Sequence, residues 1–186
     1  MFTGIVEDRG VIKRIGQNTL IVESRLEDIT NGDSVMVNGV CLTVTKKENK
    51  IISMDLGRET LRVSSLSGLR KNDVVNLERA LKLTDRVGGH FVYGHVWETG
   101  KLLSRAKRNN TDVLKIRASK IFLKNLMVKG SVAVEGVSLT VNEKSKNYFT
   151  VGIIPETLKR TNLKKIKKGE PLNIEPDMLT AASRKL

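Results

Sequence analysis

The stretch Ser34-Val35-Met36-Val37-Asn38-Gly39-Val40-Cys41-Leu42-Thr43-Val44 decides the fold, because the chain repeats it as Ser131-Val132-Ala133-Val134-Glu135-Gly136-Val137-Ser138-Leu139-Thr140-Val141. The copies lie 97 residues apart, as Gly39 and Gly136 do, and the register holds without a gap. Glu59-Thr60-Leu61 falls on Glu156-Thr157-Leu158, Leu66 on Leu163, and Asn76-Leu77-Glu78 on Asn173-Ile174-Glu175. At the module starts the offset is 90, with Gly4, Val6 and Gly10 matching Gly94, Val96 and Gly100, so the second copy carries an insertion of 7 residues. It falls within Ser104–Thr111, a basic stretch with Asn109-Asn110 at a hairpin tip. Each copy takes nearly half of the 186 residues. That is enough for its own barrel core and well beyond the roughly 20–50-residue periods of solenoids. Two copies of one module imply two similar sites, used on two similar ligands at once.

The local pattern is β. Val35–Val37, Val40–Thr45, Ile51–Leu56 and Val74–Leu77 are short β-branched runs, separated by turn signals at Asn31-Gly32-Asp33, Asn38-Gly39, Glu48-Asn49-Lys50 and Lys71-Asn72-Asp73. Closely spaced short strands predict an all-β protein of two antiparallel, Greek-key-like barrels in tandem, over residues 1–89 and 90–177, with a short tail over 178–186. Helical spacing is confined to short stretches at Ser64–Leu69, its copy Thr161–Ile166, Lys120–Met127 and Met178–Lys185. Side chains alternate along a strand, so Val40, Leu42 and Val44 form a core face and leave Cys41 and Thr43 on the other. The second copy repeats this with Ser138 and Thr140, and the paired small polar residues mark a ligand face.

Composition narrows the class. With 39% hydrophobic and 28% charged residues the chain reads as an ordinary globular protein, and no apolar run approaches the roughly 20 residues that cross a bilayer. Met1-Phe2-Thr3-Gly4 lacks the basic start of a signal peptide, and the single cysteine, Cys41, forms no disulfide within the chain. The expected compartment is the cytoplasm, with no membrane partner. The net charge of +13 raises the alternative of a nucleic-acid-binding barrel. Four Phe, two Tyr and one Trp are few stacking platforms, and runs such as Lys164-Lys165-Ile166-Lys167-Lys168 read as solvated turns. Nucleic acid is therefore not expected as a partner.

Both histidines lie at the joint between modules, in Gly88-Gly89-His90-Phe91-Val92-Tyr93-Gly94-His95. Their odd spacing places them on opposite faces of an extended chain, so they do not jointly bind a metal, and no metal site is expected. One of them packs at the joint while the other faces a pocket and titrates near neutrality. A Gly-rich phosphate loop, a nucleophile elbow and a dinucleotide fingerprint are all missing, so no cofactor is expected.

Met1–Val6, Asn38–Val44, Gly88–Val96, Glu135–Val141 and Ile154-Pro155-Glu156-Thr157-Leu158 resemble the signatures of the riboflavin synthases of alpha-subunit type, over nearly the whole chain. The resemblance implies a cofactor-free transferase acting at the last step of riboflavin biosynthesis. Two molecules of 6,7-dimethyl-8-ribityllumazine would exchange four carbons to give riboflavin and 5-amino-6-(ribitylamino)uracil. Two identical substrates need two pockets with unlike roles, and the copies differ at Cys41 against Ser138, Asn38 against Glu135, Gly57 against Ile154 and Ile5 against His95.

By the same resemblance Ser34, Cys41 and His95 belong to the first module's chemistry, and Lys129, Ser138, Thr140 and Asp177 to the second's. Cys41 or a water beside it would activate the acceptor lumazine, and His95 with Thr140 would assist proton transfer from the donor. Substrate would lie against Gly4, Ile5, Val6, Leu42, Thr43, Asp55, Leu56, Gly57, Arg58, Gly94, Val96, Leu139, Gly152, Ile153, Ile154 and Pro155. Glu59, Thr60, Glu156 and Thr157 would hold ribityl hydroxyls. The family implies a homotrimer, with an association with lumazine synthase as a further partner. The short tail after Asp177 would weaken the trimer contact, or else marks a shortened chain. The competing reading is a lumazine-binding or flavin-binding antenna protein that holds a chromophore without converting it.

Overall fold

The computed structural model describes residues 1–183, so Arg184, Lys185 and Leu186 of the expected tail lie outside the described residues. The first module folds as six strands, β1 (Asp8–Ile15), β2 (Thr19–Glu23), β3 (Ser34–Val37), β4 (Val40–Glu48), β5 (Ile51–Asp55) and β6 (Val74–Arg79). They close into an antiparallel barrel in the order β1-β2-β5-β4-β3-β6. The second module repeats the arrangement with β7 (Glu98–Arg108), β8 (Thr111–Arg117), β9 (Ser131–Val134), β10 (Val137–Lys144), β11 (Tyr148–Ile153) and β12 (Pro171–Pro176). The insertion lengthens the β7–β8 hairpin, whose turn carries Asn109 at φ 52°. Strands bulge at matching positions, after Ile12 and Leu102 and after Val44 and Val141, which helps bend each sheet into closure.

The alternation read from sequence fills both cores. Val40, Leu42 and Val44 point inward, as do Val137, Leu139 and Val141, while Thr43 and Thr140 are exposed. Four short helices cap the barrels: α1 (Arg58–Val63), α2 (Lys120–Lys124), α3 (Pro155–Arg160) and α4 (Met178–Ser183). The expected helices at Ser64–Leu69 and Thr161–Ile166 are instead single 3₁₀ turns, at Ser65–Gly68 and Asn162–Lys164. The helices precede them. Ser64 and Thr161 each take an extended conformation, end the helix and cap the turn that follows. Pro155 at the first position of α3 was the available sequence signal.

A pseudo-twofold axis relates the barrels, and the chain crosses between them at it. Phe2 N–H donates to the Val92 carbonyl at 2.7 Å and Val92 N–H returns a bond to Phe2 at 3.0 Å. The segments around them act as straps that each barrel lends to the other: Val6 packs in the second barrel's core, and Val96 packs against the first barrel's. Phe2, Val92, Met36 and Ala133 form a small buried cluster of their own. Further along the interface the two hairpin turns meet backbone to backbone. A Cβ on Gly39 would lie 2.9 Å from Gly136 N, and both glycines hold positive φ, so neither position tolerates a side chain.

Buried amides stitch the same interface with matching bonds. Asn76 Nδ2 donates to the Glu135 carbonyl at 2.9 Å, and Asn173 Nδ2 to the Asn38 carbonyl at 2.8 Å. Asn38 Oδ1 accepts from Asn76 N–H, and Glu135 Oε1 accepts from Asn173 N–H, both at 2.7 Å. The Asn38/Glu135 difference, expected to be chemical, thus belongs to the network that joins the barrels. Phe2→Ala should lower the unfolding free energy by about 3–5 kcal/mol, since it empties a fully enclosed position between two rigid barrels. Urea unfolding checks this, and a loss below about 1 kcal/mol would show that the straps are not a structural keystone.

Candidate active site

Strap exchange builds two matching candidate sites, each with a floor from one barrel and a roof from the other. In the first, Cys41 N–H on β4 donates to the Gly94 carbonyl at 2.9 Å. In the second, Ser138 N–H on β10 donates to the Gly4 carbonyl at 2.8 Å. Gly94 and Gly4 hold φ of 77° and 75°, and a Cβ on either would sit 2.7 Å from the Cβ of Cys41 or Ser138. Only glycine lets the strap lie this close, with its next residue, His95 or Ile5, left exposed.

Buried carboxylates hold both straps. Glu175 on β12 accepts from the backbone of Tyr93 at 2.7 Å and of Gly94 and His95, each at 3.0 Å. Glu78 on β6 accepts from Thr3 N–H at 2.6 Å, Thr3 Oγ1 at 2.9 Å and Gly4 N–H at 3.0 Å. Burial pushes both carboxyls up to about 7 against these donors, which favour the charged form, and does the same to Glu135 in the interface network.

The two sites differ at the connector. Gly89 passes beneath Ser138, where a Cβ would lie 2.8 Å from Ser138 Oγ and collide with the Thr3 carbonyl. His90, buried beside it, sets Nδ1 2.7 Å from Ser138 Oγ, and its Nε2 has no partner among the described residues. Burial lowers the His90 pKa, and the charge of Asp177 partly offsets this. Within one chain His95 and Thr140 lie at different places: His95 follows Gly94 over Cys41, while Thr140 is on β10 of the other barrel. The histidine at Ser138 is His90, one of the two that parity had placed on opposite faces at the joint. It is buried, as a joint residue would be, yet bonded to a site hydroxyl.

The remaining expected residues divide between the sites. Thr43 and Thr140 share the faces of Cys41 and Ser138, and in register Ser34 pairs with Thr43 and Ser131 with Thr140. Leu42, Leu56, Leu139, Ile153 and Val6 turn their side chains into the cores, so only their backbone is free for a ligand. Asp55 ends β5 and Gly57 leads into α1, which carries Arg58, Glu59 and Thr60. The copy is Gly152 and Ile153 on β11 followed by Ile154, Pro155, Glu156 and Thr157. Glu59 is paired with Arg62 and Glu156 with Arg160, both at 2.5 Å on the surface, so the ribityl role expected of these carboxylates competes with an ion pair. Lys129 is exposed at φ 68°. Asp177 caps α4 through Leu179 N–H and Thr180 Oγ1. A separate cleft of about 540 Å³ is lined by Ile5, Ser34, Glu78, Arg79 and Asp85, and neither Cys41 nor Ser138 reaches it. Among the described residues no group of three or more His, Cys, Asp or Glu could hold a metal, and no helix is long and apolar enough to cross a membrane.

Residues 3–80 and 93–177 each match the lumazine binding domain family, so the molecule is a tandem of lumazine-binding barrels. Riboflavin synthase of Actinobacillus pleuropneumoniae is 39% identical over 185 residues, covering 96% of this chain and 86% of that protein. Riboflavin synthase of Escherichia coli (strain K12) is 40% identical over 191 residues, covering 98% and 89%. The chain belongs to the riboflavin synthase family. LumP complexed with riboflavin shares the fold, with a TM-score of 0.84 at 23% identity over 95% of this chain and 99% of that one.

The three buried carboxyls set an unusual pH dependence. Each is raised in the folded state from 4.5 to about 7, so between those values the folded protein holds more protons than the unfolded chain, and stability falls as pH rises. His90, lowered from 6.5, acts in the opposite direction, but it is one group against three. The urea midpoint should therefore be higher at pH 5.5 than at pH 7.5; an equal or lower midpoint at pH 5.5 would show that the strap donors outweigh burial at these carboxyls.

Proposed function

We propose that this chain catalyses the dismutation of two 6,7-dimethyl-8-ribityllumazine molecules to riboflavin and 5-amino-6-(D-ribitylamino)uracil. The observation that carries the reading is the pair of near-identical sites with unlike groups, Cys41 beneath Gly94 in one and Ser138 bonded to His90 in the other. Equal shape suits two identical substrates, and unlike chemistry suits a donor and an acceptor. The second barrel takes the donor. Its C7 methyl is acidic because the carbanion delocalises into the ring; Ser138 Oγ receives that proton as its own passes to His90 Nδ1. Asp177 favours the charged imidazole that results. The first barrel takes the acceptor beside Cys41; Cys41 or a water beside it adds at the acceptor's C7 and is released again as the four carbons are transferred.

Most of the acceleration comes from stacking the two rings, since oriented pairs reach effective molarities of roughly 10⁵ M or more. Gly4 and Gly94 lie four residues apart along the Phe2–Val92 ladder, roughly 13 Å at about 3.3 Å per residue. The fully buried Phe2 and Val92 stand between them. Ligands at Cys41 and Ser138 of one chain are therefore kept apart, which supports a reacting pair shared by neighbouring subunits of a homotrimer. Exposed Ile5, which follows Gly4 over Ser138, suits coverage by such a neighbour.

The deciding experiment incubates the protein with 6,7-dimethyl-8-ribityllumazine alone and follows riboflavin absorbance. Formation of riboflavin with 5-amino-6-(ribitylamino)uracil in equal amounts is expected, whereas tight binding without conversion would establish an antenna protein. His90→Gln should lower kcat by about 10²-fold or more while lumazine still binds, because it removes the proton acceptor behind Ser138. Unchanged kcat in that variant would exclude the His90–Ser138 relay.

A further inference from the structure

We propose that Glu175 and Glu78 are positioning residues for the two sites, each fixing from one barrel the strap that roofs the ligand face of the other. The proposal rests on the reading of Cys41 and Ser138 as site floors. Among the described residues the N–H groups of Thr3, Gly4, Tyr93, Gly94 and His95 have no acceptor other than these carboxylates. The strap's carbonyl edge is taken by the floor strand, through Gly94 to Cys41 and Gly4 to Ser138. Its N–H edge faces the carboxylate, and Glu175 accepts three consecutive backbone donors, Tyr93, Gly94 and His95. One rigid carboxylate plane thereby sets both the height of Gly94 over Cys41 and the direction in which His95 leaves the strap.

The duplication supports a role in the sites. Equal positions differ between the copies at Cys41 and Ser138 and at Ile5 and His95, yet both copies carry glutamate at 78 and 175. Each is buried, at 4% and 3% exposure, and among the described residues neither has a cationic side chain as partner, an expensive arrangement for merely filling space. A carboxylate accepts on both oxygens, whereas an amide of the same shape turns an N–H₂ toward strap donors and pushes the strap off its floor. The effect is crossed: a lesion at Glu175, in the second barrel, loosens the site of the first, and a lesion at Glu78 loosens the site of the second.

Cys41, the single cysteine, reports on one strap only, and its reaction with a thiol reagent requires no turnover. In native buffer, Glu175→Gln should raise the modification rate of Cys41 several-fold, and Glu78→Gln should leave it unchanged. Turnover should show a raised KM together with a lowered kcat in both variants. Glu175→Asp, which keeps the charge but falls short of the strap by one methylene, should reproduce the faster modification if the glutamine variant fails to fold. An unchanged Cys41 rate in a folded Glu175 variant overturns the proposal. So does an equal increase in the Glu78 and Glu175 variants, which would mean general loosening. If the crossed thiol pattern appears without riboflavin formation, the proposed reaction fails and the positioning role stands.

Discussion

Reciprocal hydrogen bonds between Phe2 and Val92 place two extended segments side by side on the pseudo-twofold axis, and the rest of the architecture is arranged around that crossing. From it Val6 runs into the second barrel and Val96 against the first, so neither barrel closes over its hydrophobic interior with its own residues alone. Exchange of this kind couples two small cores that would each be marginal by themselves. It also places a backbone roof over each small polar strand face, which a free-standing barrel would leave open to water.

The interface is polar for a reason that follows from the same geometry. Straps and hairpin turns bring backbone donors and acceptors into a dry joint where no ladder partner exists, and each buried unpaired group would cost about 1–3 kcal/mol. Asn38, Asn76, Glu135, Asn162 and Asn173 meet that demand at the hairpins, while Glu78 and Glu175 meet it at the straps. Side chains that can present two acceptors, or an acceptor and donors, are favoured here over apolar filling. The result is a joint that specifies one relative placement of the barrels and, through the straps, the height of both site roofs.

Symmetry is broken by the connector as well as by the Cys41/Ser138 difference on the barrel strands. Residues 88–90 pass under Ser138 on their way from the first barrel to the strap of the second, and no described residue repeats this at Cys41. One site thus has a buried imidazole behind a hydroxyl, and the other a thiol under a bare glycine roof. The two copies thus present different groups at equal positions, through one change on the floor strand, Cys41 against Ser138, and one loop that brings His90 to Ser138.

Sequence alone determined the tandem barrels, because strand alternation is a property of neighbouring residues and a gapless repeat is visible without coordinates. Val40, Leu42 and Val44 could be placed inward and Cys41 and Thr43 outward from parity, and their exposures agree. The Asn109-Asn110 tip of the inserted hairpin was legible for the same local reason. Which strap roofs which floor was not legible, since Gly4 and Ser138 are 134 residues apart and meet only because the barrels exchange segments. Family resemblance pointed to His95 with Thr140, while the fold brings His90 to Ser138 through a glycine connector that has no strand periodicity to read. The tertiary structure alone also showed Glu78 and Glu175 bonded to the strap backbone. In sequence they are two more strand residues, and their bonds go to backbone groups from the strap segments, whose identity leaves no trace in the pattern.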